Sequence, residues 1–298
     1  MPIHSFLEYI SLEKKYSPHT AKAYKDDIKS FQLFCIAHFN SDDIVNVNYS
    51  QIRSWIVVLV DSGITNRSIN RKVSSLRAFY KFLLKSKQIN ESPLTKHKAL
   101  KVGKRVQVPF TNVEINEVIL GLSDESDFKS LRDRLIVELF YSTGMRRSEL
   151  INLKVIDIDL AQQTVKVLGK RNKERFIPLL RSVQETLQRY FILRNEFTTE
   201  SDNLLLTEKG KKIYGTLVYR IINGYFSTVS SKVKKSPHVI RHSFATHLLN
   251  EGADLNSVKE LLGHSSLAST QVYVNSSLKE LKKVYNQAHP RSAKNENL

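Results

Sequence analysis

The sequence is poor in cysteine and in acid. Cys35 is the single cysteine in 298 residues. That excludes an intramolecular disulfide framework and any multi-cysteine zinc or iron–sulfur site. The longest apolar run, Trp55 to Val60, falls far short of the ~20 residues that cross a bilayer. The opening MPIHSFLEYI lacks a basic stretch followed by an apolar one and is read as carrying no signal peptide. Ten glycines and seven prolines are too few for a collagen-like or low-complexity chain. Asp and Glu number 29 against 46 Lys and Arg, a formal net charge of +17. Such a surplus implies a polyanionic partner. With 41% apolar residues, the expectation is a globular, cytoplasmic protein that meets nucleic acid. At roughly 150 residues per domain, the length suggests about two domains.

The first hundred residues read as helices. Ser17 and Pro18 have the pattern of an N-cap followed by proline at the first helical position. Ala21, Tyr24, Ile28, Phe31 and Phe34 follow at helical spacing. A short helix carries Trp55, Val58 and Leu59 and stops near Gly63. A third is expected from Asn66 to Lys85, with Ile69, Val73, Leu76, Tyr80 and Leu83 as one buried stripe. Between residues 67 and 105 there are twelve basic residues against one acid, Glu91, so +11 of the +17 lies there. A solvated face ordinarily mixes signs, and this one does not. Arg67, Arg71, Lys72, Arg77, Lys81 and Lys85 are therefore candidates for contact with phosphates. Ser92-Pro93 ends the helical pattern and a basic stretch without apolar periodicity follows. The expected division is a helical domain over 1–92, a linker over 93–108 and a second domain over 109–298.

The second part reads as mainly helical with one strand-rich insert. Leu131 to Tyr141 has a helical pattern with Gly144 as its stop. Val155 to Leu160, Thr164 to Leu168 and Glu174 to Leu179 each alternate, which predicts a small antiparallel sheet. Lys170 and Lys173 fall at the tip between two of these strands. Ser236 is placed as an N-cap with Pro237 at the first helical position, so His238 and Arg241 share one face near a helix N-terminus. That arrangement suits an anion. Gly263 suits a helix C-cap, which leaves His264 in an inter-helix corner, and Tyr273 follows nine residues later. His238, His242 and His247 are not read as metal ligands. Arg241 would repel a cation, and no Glu stands where a zinc metalloprotease needs one.

The ordered combination TGMRRSEL, GKRNKER, PHVIRHSFATHLLNEGADLNSVKELLGHSSLASTQVY and the tail LKKVYNQAHPR resembles the tyrosine recombinases, the site-specific DNA integrases, and within them the Xer type. The resemblance covers nearly the whole chain. It implies a two-domain clamp around duplex DNA: a helical core-binding domain, and a mainly α catalytic domain with a small antiparallel sheet. By motif, Arg146, Lys170, His238, Arg241 and His264 are the implied catalytic set, and Tyr273 is the implied nucleophile. Arg171 stands where the family usually has a second glycine. Lys173, in the same tip, is a candidate DNA contact and leaves the choice of lysine open.

The implied chemistry is attack by Tyr273 on a phosphodiester, giving a 3′-phosphotyrosyl enzyme and a free 5′-hydroxyl. Arg146 and Arg241 would hold the non-bridging oxygens, His264 would add a donor, and Lys170 would protonate the leaving oxygen. No metal, ATP or other cofactor is implied. The implied partners are a double-stranded recombination site, a homo- or hetero-tetramer of recombinases on two sites, a partner Xer recombinase and a cell-division DNA translocase. The tail after Ala288 is expected to dock on a neighbouring protomer. Chromosome-dimer resolution is the leading function. The alternatives are a mobile-element integrase, a type IB topoisomerase and a catalytically silent DNA-binding regulator. Lys170→Ala should slow cleavage most when the leaving group is the normal oxygen, and a 5′-sulfur leaving group should restore much of the rate. Equal loss on both substrates would show that Lys170 is not the acid.

Overall fold

The computed structural model describes residues 2–103, 107–122, 127–169, 173–197, 201–263 and 274–292, the stretch 274–280 by its backbone alone. The chain divides into two compact units, residues 1–105 and 106–298. No helix among the described residues is long and apolar enough to cross a membrane.

The first unit is helical: α1 (Pro2–Glu8), running into a π-helical turn, then α2 (Pro18–Phe39), α3 (Tyr49–Asp61) and α4 (Asn66–Lys85). The Ser17 side chain accepts from the Thr20 N–H and so caps α2, with Pro18 at its first position. All five stripe residues of α4 are buried, with Phe6, Phe31, Trp55 and Phe79. Val58 of α3 is exposed, because the helix turns Ile52, Trp55, Ile56 and Leu59 inward. One acid lies inside this basic unit. Asp27 is buried and takes both Nη atoms of Arg71 (2.6 and 2.9 Å), Lys72 Nζ at 3.3 Å and the Ser75 hydroxyl at 2.7 Å. Arg67, Arg77, Lys81 and Lys85 are exposed, and Arg77 and Lys81 edge a shallow groove with Ser92 and Thr95. The segment after Pro93 stays with this unit as far as residue 101. Leu94 is buried, Asn70 exchanges hydrogen bonds with the Leu100 backbone (2.8 and 2.9 Å), and Asn66 donates to the Lys101 carbonyl.

The second unit is built around α6 (Phe128–Thr143), which α5 (Asn112–Gly121), α8 (Arg181–Asn195), α9 (Gly215–Val229) and α10 (Pro237–Asn250) contact. Almost every residue of α6 is buried, on all sides of the helix. Its apolar positions 131, 135, 136, 139 and 140 are all buried, as are polar positions between them such as Arg132, Asp133 and Glu138. Short α7 (Arg147–Asn152) leads to a three-stranded antiparallel sheet of β1 (Ile158–Asp159), β2 (Thr164–Leu168) and β3 (Glu174–Pro178), in that order. The first strand is shorter than its alternation suggests. Val155 to Asp157 form a 3-10 turn because the Asp157 carboxylate accepts from the Lys154 N–H at 2.9 Å, and Ile156 faces solvent. Val165, Val167 and Ile177 form the buried face of the sheet.

Two further helices, α11 (Leu255–Leu262) and α12 (Val274–Ala288), complete the unit. Residues 281–292 pack onto their own chain. Leu281, Tyr285, Ala288, His289 and Ser292 are buried. The Tyr285 hydroxyl donates to the Ser142 carbonyl at 2.7 Å, and Arg291 pairs with Glu138. Truncation near residue 280 would thus strip side chains from this core, beyond any effect on assembly between protomers.

His289 is held as the neutral Nε2–H form. Its Nδ1 accepts from the Arg291 N–H at 3.1 Å, so the proton resides on Nε2, 3.2 Å from the Tyr141 carbonyl. Burial pushes its pKa down from 6.5 to about 3. On acidification from pH 6.5 towards 3 the unfolded chain takes up this proton and the folded chain does not, so stability is highest above 6.5 and falls across that window. His289→Gln should flatten the melting temperature against pH in this range relative to wild type. An unchanged slope would remove His289 from the account.

Candidate active site

The site forms where three helix ends in the second unit meet. Gly144 ends α6 in the left-handed conformation (φ 57°), and a Cβ there would lie 2.4 Å from the Phe244 ring. Only glycine satisfies both the backbone and the space. Its tight turn lets Met145 enter the core and Arg146 start α7. Gly263 ends α11 in the same left-handed way (φ 64°). Ser236 and Pro237 start α10 as expected, although the Ser236 side chain makes no capping hydrogen bond.

Arg241, from the first turns of α10, reaches back between the other two helix ends. Its Nη1 donates to the Gly144 carbonyl, and its Nη2 donates to the Leu262 carbonyl at 2.8 Å. These carbonyls mark the C-terminal ends of α6 and α11, where orphan acceptors and the helix dipole both favour a cation. Burial, with Arg146 and Arg175 nearby, pushes the Arg241 pKa down to about 10, opposed by Glu149. It stays charged at neutral pH.

Arg146 is oriented by a carboxylate three residues on. The Arg146 backbone N–H donates to Glu149 Oε2 at 2.8 Å, and Arg146 Nη1 donates to Oε1 at 2.7 Å. The same carboxylate receives Arg175 Nη1 and Nη2 at 3.2 and 2.7 Å. Burial alone would raise the Glu149 pKa. The hydrogen bonds and charges of Arg175 and Arg146 outweigh it, and the carboxyl ends below its ordinary value.

Arg146, His238 and Arg241 line one cleft of about 390 Å³, with Ser236 and Pro237 at the start of α10. Met145, Arg147, Ser148 and Tyr219 complete its wall. Three expected site residues thus converge from segments nearly a hundred residues apart. His238 is exposed there, whereas Arg241 is buried. Lys170, His264 and Tyr273 lie outside the described residues. Lys173 is exposed at the base of the hairpin tip, where its carbonyl accepts from the Gly169 N–H at 2.8 Å. The other two histidines of α10 are placed apart from the cleft: His242 is exposed, and His247 is buried with Nδ1 2.9 Å from the Tyr141 hydroxyl. Glu149, Arg175, Arg147 and Tyr219 were given no role by sequence. Only Glu149 carried a signal, the spacing of a capping box with residue 146.

Glu149→Gln keeps the shape but leaves two arginines without their counter-charge. Removing one partner from a buried ion pair typically costs about 3–5 kcal/mol. The melting temperature should therefore fall well below wild type, and more than for Glu185→Gln, whose pairing with Arg181 is exposed. Equal effects would show that the Glu149 pairs carry no special weight.

The model of the phage integrase family matches residues 100–280. The model of the phage integrase N-terminal SAM-like domain matches residues 3–87. Relatives include tyrosine recombinase XerC of Bacillus pumilus, 39% identical over 98% of this chain and 97% of that protein. That of Chlorobaculum parvum is 36% identical over 96% of this chain and 93% of that protein. Among solved structures, the XerH site-specific recombinase bound to a palindromic difH substrate aligns with a TM-score of 0.69 at 20% identity, covering 93% of this chain and 78% of that one. The Tn1549 transposon integrase in complex with transposon right end DNA aligns at 0.69 and 19% identity, covering 95% and 99%. Those two share the fold with this chain. From the two family matches and the near full-length relatives, the chain belongs to the phage integrase family of tyrosine recombinases.

Proposed function

We propose that the protein is a site-specific tyrosine recombinase of the XerC kind, which cleaves and rejoins duplex DNA and resolves chromosome dimers. The observation that carries this reading is the convergence of Arg146, His238 and Arg241 on one cleft at the start of α10. Two guanidinium groups fixed before substrate arrives can take the two non-bridging oxygens of a phosphodiester with paired, charge-assisted hydrogen bonds. Neither must reorganise as negative charge builds up. The near full-length match to relatives named tyrosine recombinase XerC favours the chromosomal role over that of a mobile-element integrase.

On this reading the Tyr273 oxygen attacks the scissile phosphorus. The new bond is tyrosyl O–P, the bond that breaks is P–O5′, and the bond energy is conserved for rejoining. A phenol in a model peptide has a pKa of ~10, so Tyr273 gives its proton to a base, for which His238 is the candidate. Lys170 gives a proton to the leaving 5′-oxygen, and His264 adds a donor to the phosphate. Arg67, Arg77, Lys81, Lys85 and Lys173 supply exposed positive charge for the flanking backbone. Arg71 is half-exposed and can serve both Asp27 and a phosphate, whereas Lys72 is largely committed to Asp27. The working assembly is a tetramer on two sites in the cytoplasm, with a second recombinase and a DNA translocase as candidate partners.

The test is covalent trapping. Wild-type and Tyr273→Phe proteins are incubated with nicked duplexes drawn from a host-genome library, then denatured, and any attached DNA is sequenced. The expected outcome is an adduct with wild type only and comparable DNA binding by both. An adduct that persists in Tyr273→Phe would overturn the nucleophile. Salt-sensitive binding without any adduct points to a required partner recombinase if adding a second Xer recombinase restores the adduct, and to a silent DNA-binding regulator if it does not.

A further inference from the structure

We propose that Arg175 is a positioning residue for the reaction, a single guanidinium that sets the hairpin strand, the first arginine and the end of α11 relative to one another; this rests on the recombinase reading above. The first sign is where Arg175 stands. In the β2–β3 pairing it lies opposite Val167, on the face that Val165, Val167 and Ile177 otherwise make apolar. An arginine on the buried face of a hairpin costs desolvation that an apolar residue of similar size would avoid. Its side chain is only 11% exposed, so the position needs a compensating role.

Its contacts supply one. All three of its nitrogen positions are used, and each partner adjoins a different part of the site. Nη1 and Nη2 clasp Glu149, the carboxylate that orients Arg146. Nε donates to the Leu261 carbonyl at 2.9 Å. The guanidinium also lies so close over Gly263 that a Cβ there would come within 3.2 Å of it. A Cβ on Gly169 would be 3.5 Å from Nη1. Gly169 immediately precedes Lys170 and Gly263 immediately precedes His264. One planar group is therefore fastened to Arg146 through a shared carboxylate and lies against the chain neighbours of two other candidate catalytic residues. A lysine has a single nitrogen and cannot reach Glu149 and the Leu261 carbonyl in one plane. All three Arg175 nitrogens face protein partners, and Arg175 is not among the residues that line the cleft.

If Arg175 aligns the hairpin, its loss should resemble partial loss of the hairpin acid rather than general loosening. Arg175→Lys and Arg175→Gln are compared with wild type in single-turnover cleavage of a nicked duplex bearing the trapped site. The duplex carries either the normal oxygen or a 5′-bridging sulfur at the scissile phosphate, and DNA affinity and melting temperature are measured in parallel. Expected are affinities within about threefold of wild type and a loss of about 100-fold on the oxygen substrate, the scale of a misplacement near 1 Å. At least tenfold of that loss should return on the sulfur substrate, because a thiolate leaves without a proton from the protein. Arg175→Gln, which is neutral, should show the same pattern as Arg175→Lys if geometry rather than charge is at stake. Equal loss on both substrates, or oxygen cleavage within threefold of wild type, would overturn the proposal. Wild-type adduct formation is the control for the recombinase reading. Its absence would overturn that reading and this one together, whereas a failed sulfur rescue, with Lys170→Ala rescued by sulfur in the same assay, strikes the role of Arg175 alone.

Discussion

The second unit depends on one carboxylate. Glu149 is the anion shared by Arg146 and Arg175, and Arg241 stands close enough to feel all three charges. Cations brought this near one another repel, and burial removes the water that would screen them. The fold answers with a nearly buried carboxylate that accepts from two guanidinium groups, and with two helix C-termini that receive the third. Without those acceptors the positive charge that suits a phosphodiester would instead oppose folding. On the proposed reading, the site is thus organised for an anion before the anion arrives.

The same logic explains why glycines close two of the three helix ends. At Gly144 a side chain would strike Phe244, and at Gly263 it would press on Arg175. Both glycines are left-handed, which exposes the preceding carbonyls to a cation instead of continuing the helix. Turn geometry, packing and electrostatics therefore meet in the same few residues. In the first unit Asp27 plays a comparable part on a smaller scale. It draws Arg71 and Lys72 inward out of a surface otherwise left positive.

The hairpin connects these local facts to chemistry. Its inner face is apolar except at Arg175, and that exception runs towards Glu149 and the end of α11. The C-terminal segment reinforces α6 from another side, through Tyr285 and a neutral His289 bound to backbone groups. Beyond the shared apolar core, elements remote in sequence are thus also tied by arginine, tyrosine and histidine donors to carbonyl oxygens. Such bonds are directional, and they suit a site where small displacements cost much of the rate.

Sequence alone determined what short-range physics governs. The helix from Asn66 to Lys85, the proline-led starts of α2 and α10, and the glycine stops at 144 and 263 all follow from local periodicity and capping. The order of Arg146, His238 and Arg241 along the chain, together with the surrounding motifs, pointed to the family. Alternation misled at Val155 to Asp157, where a side-chain cap outcompeted a strand. Tertiary structure alone decided that Arg175 and Glu149 pair, that Asp27 engages Arg71 and Lys72, and that residues 281–292 return to the core. Apart from the adjacent Arg71 and Lys72, those partners lie tens of residues apart, and neither periodicity nor capping reports on a charge that only the folded chain brings near.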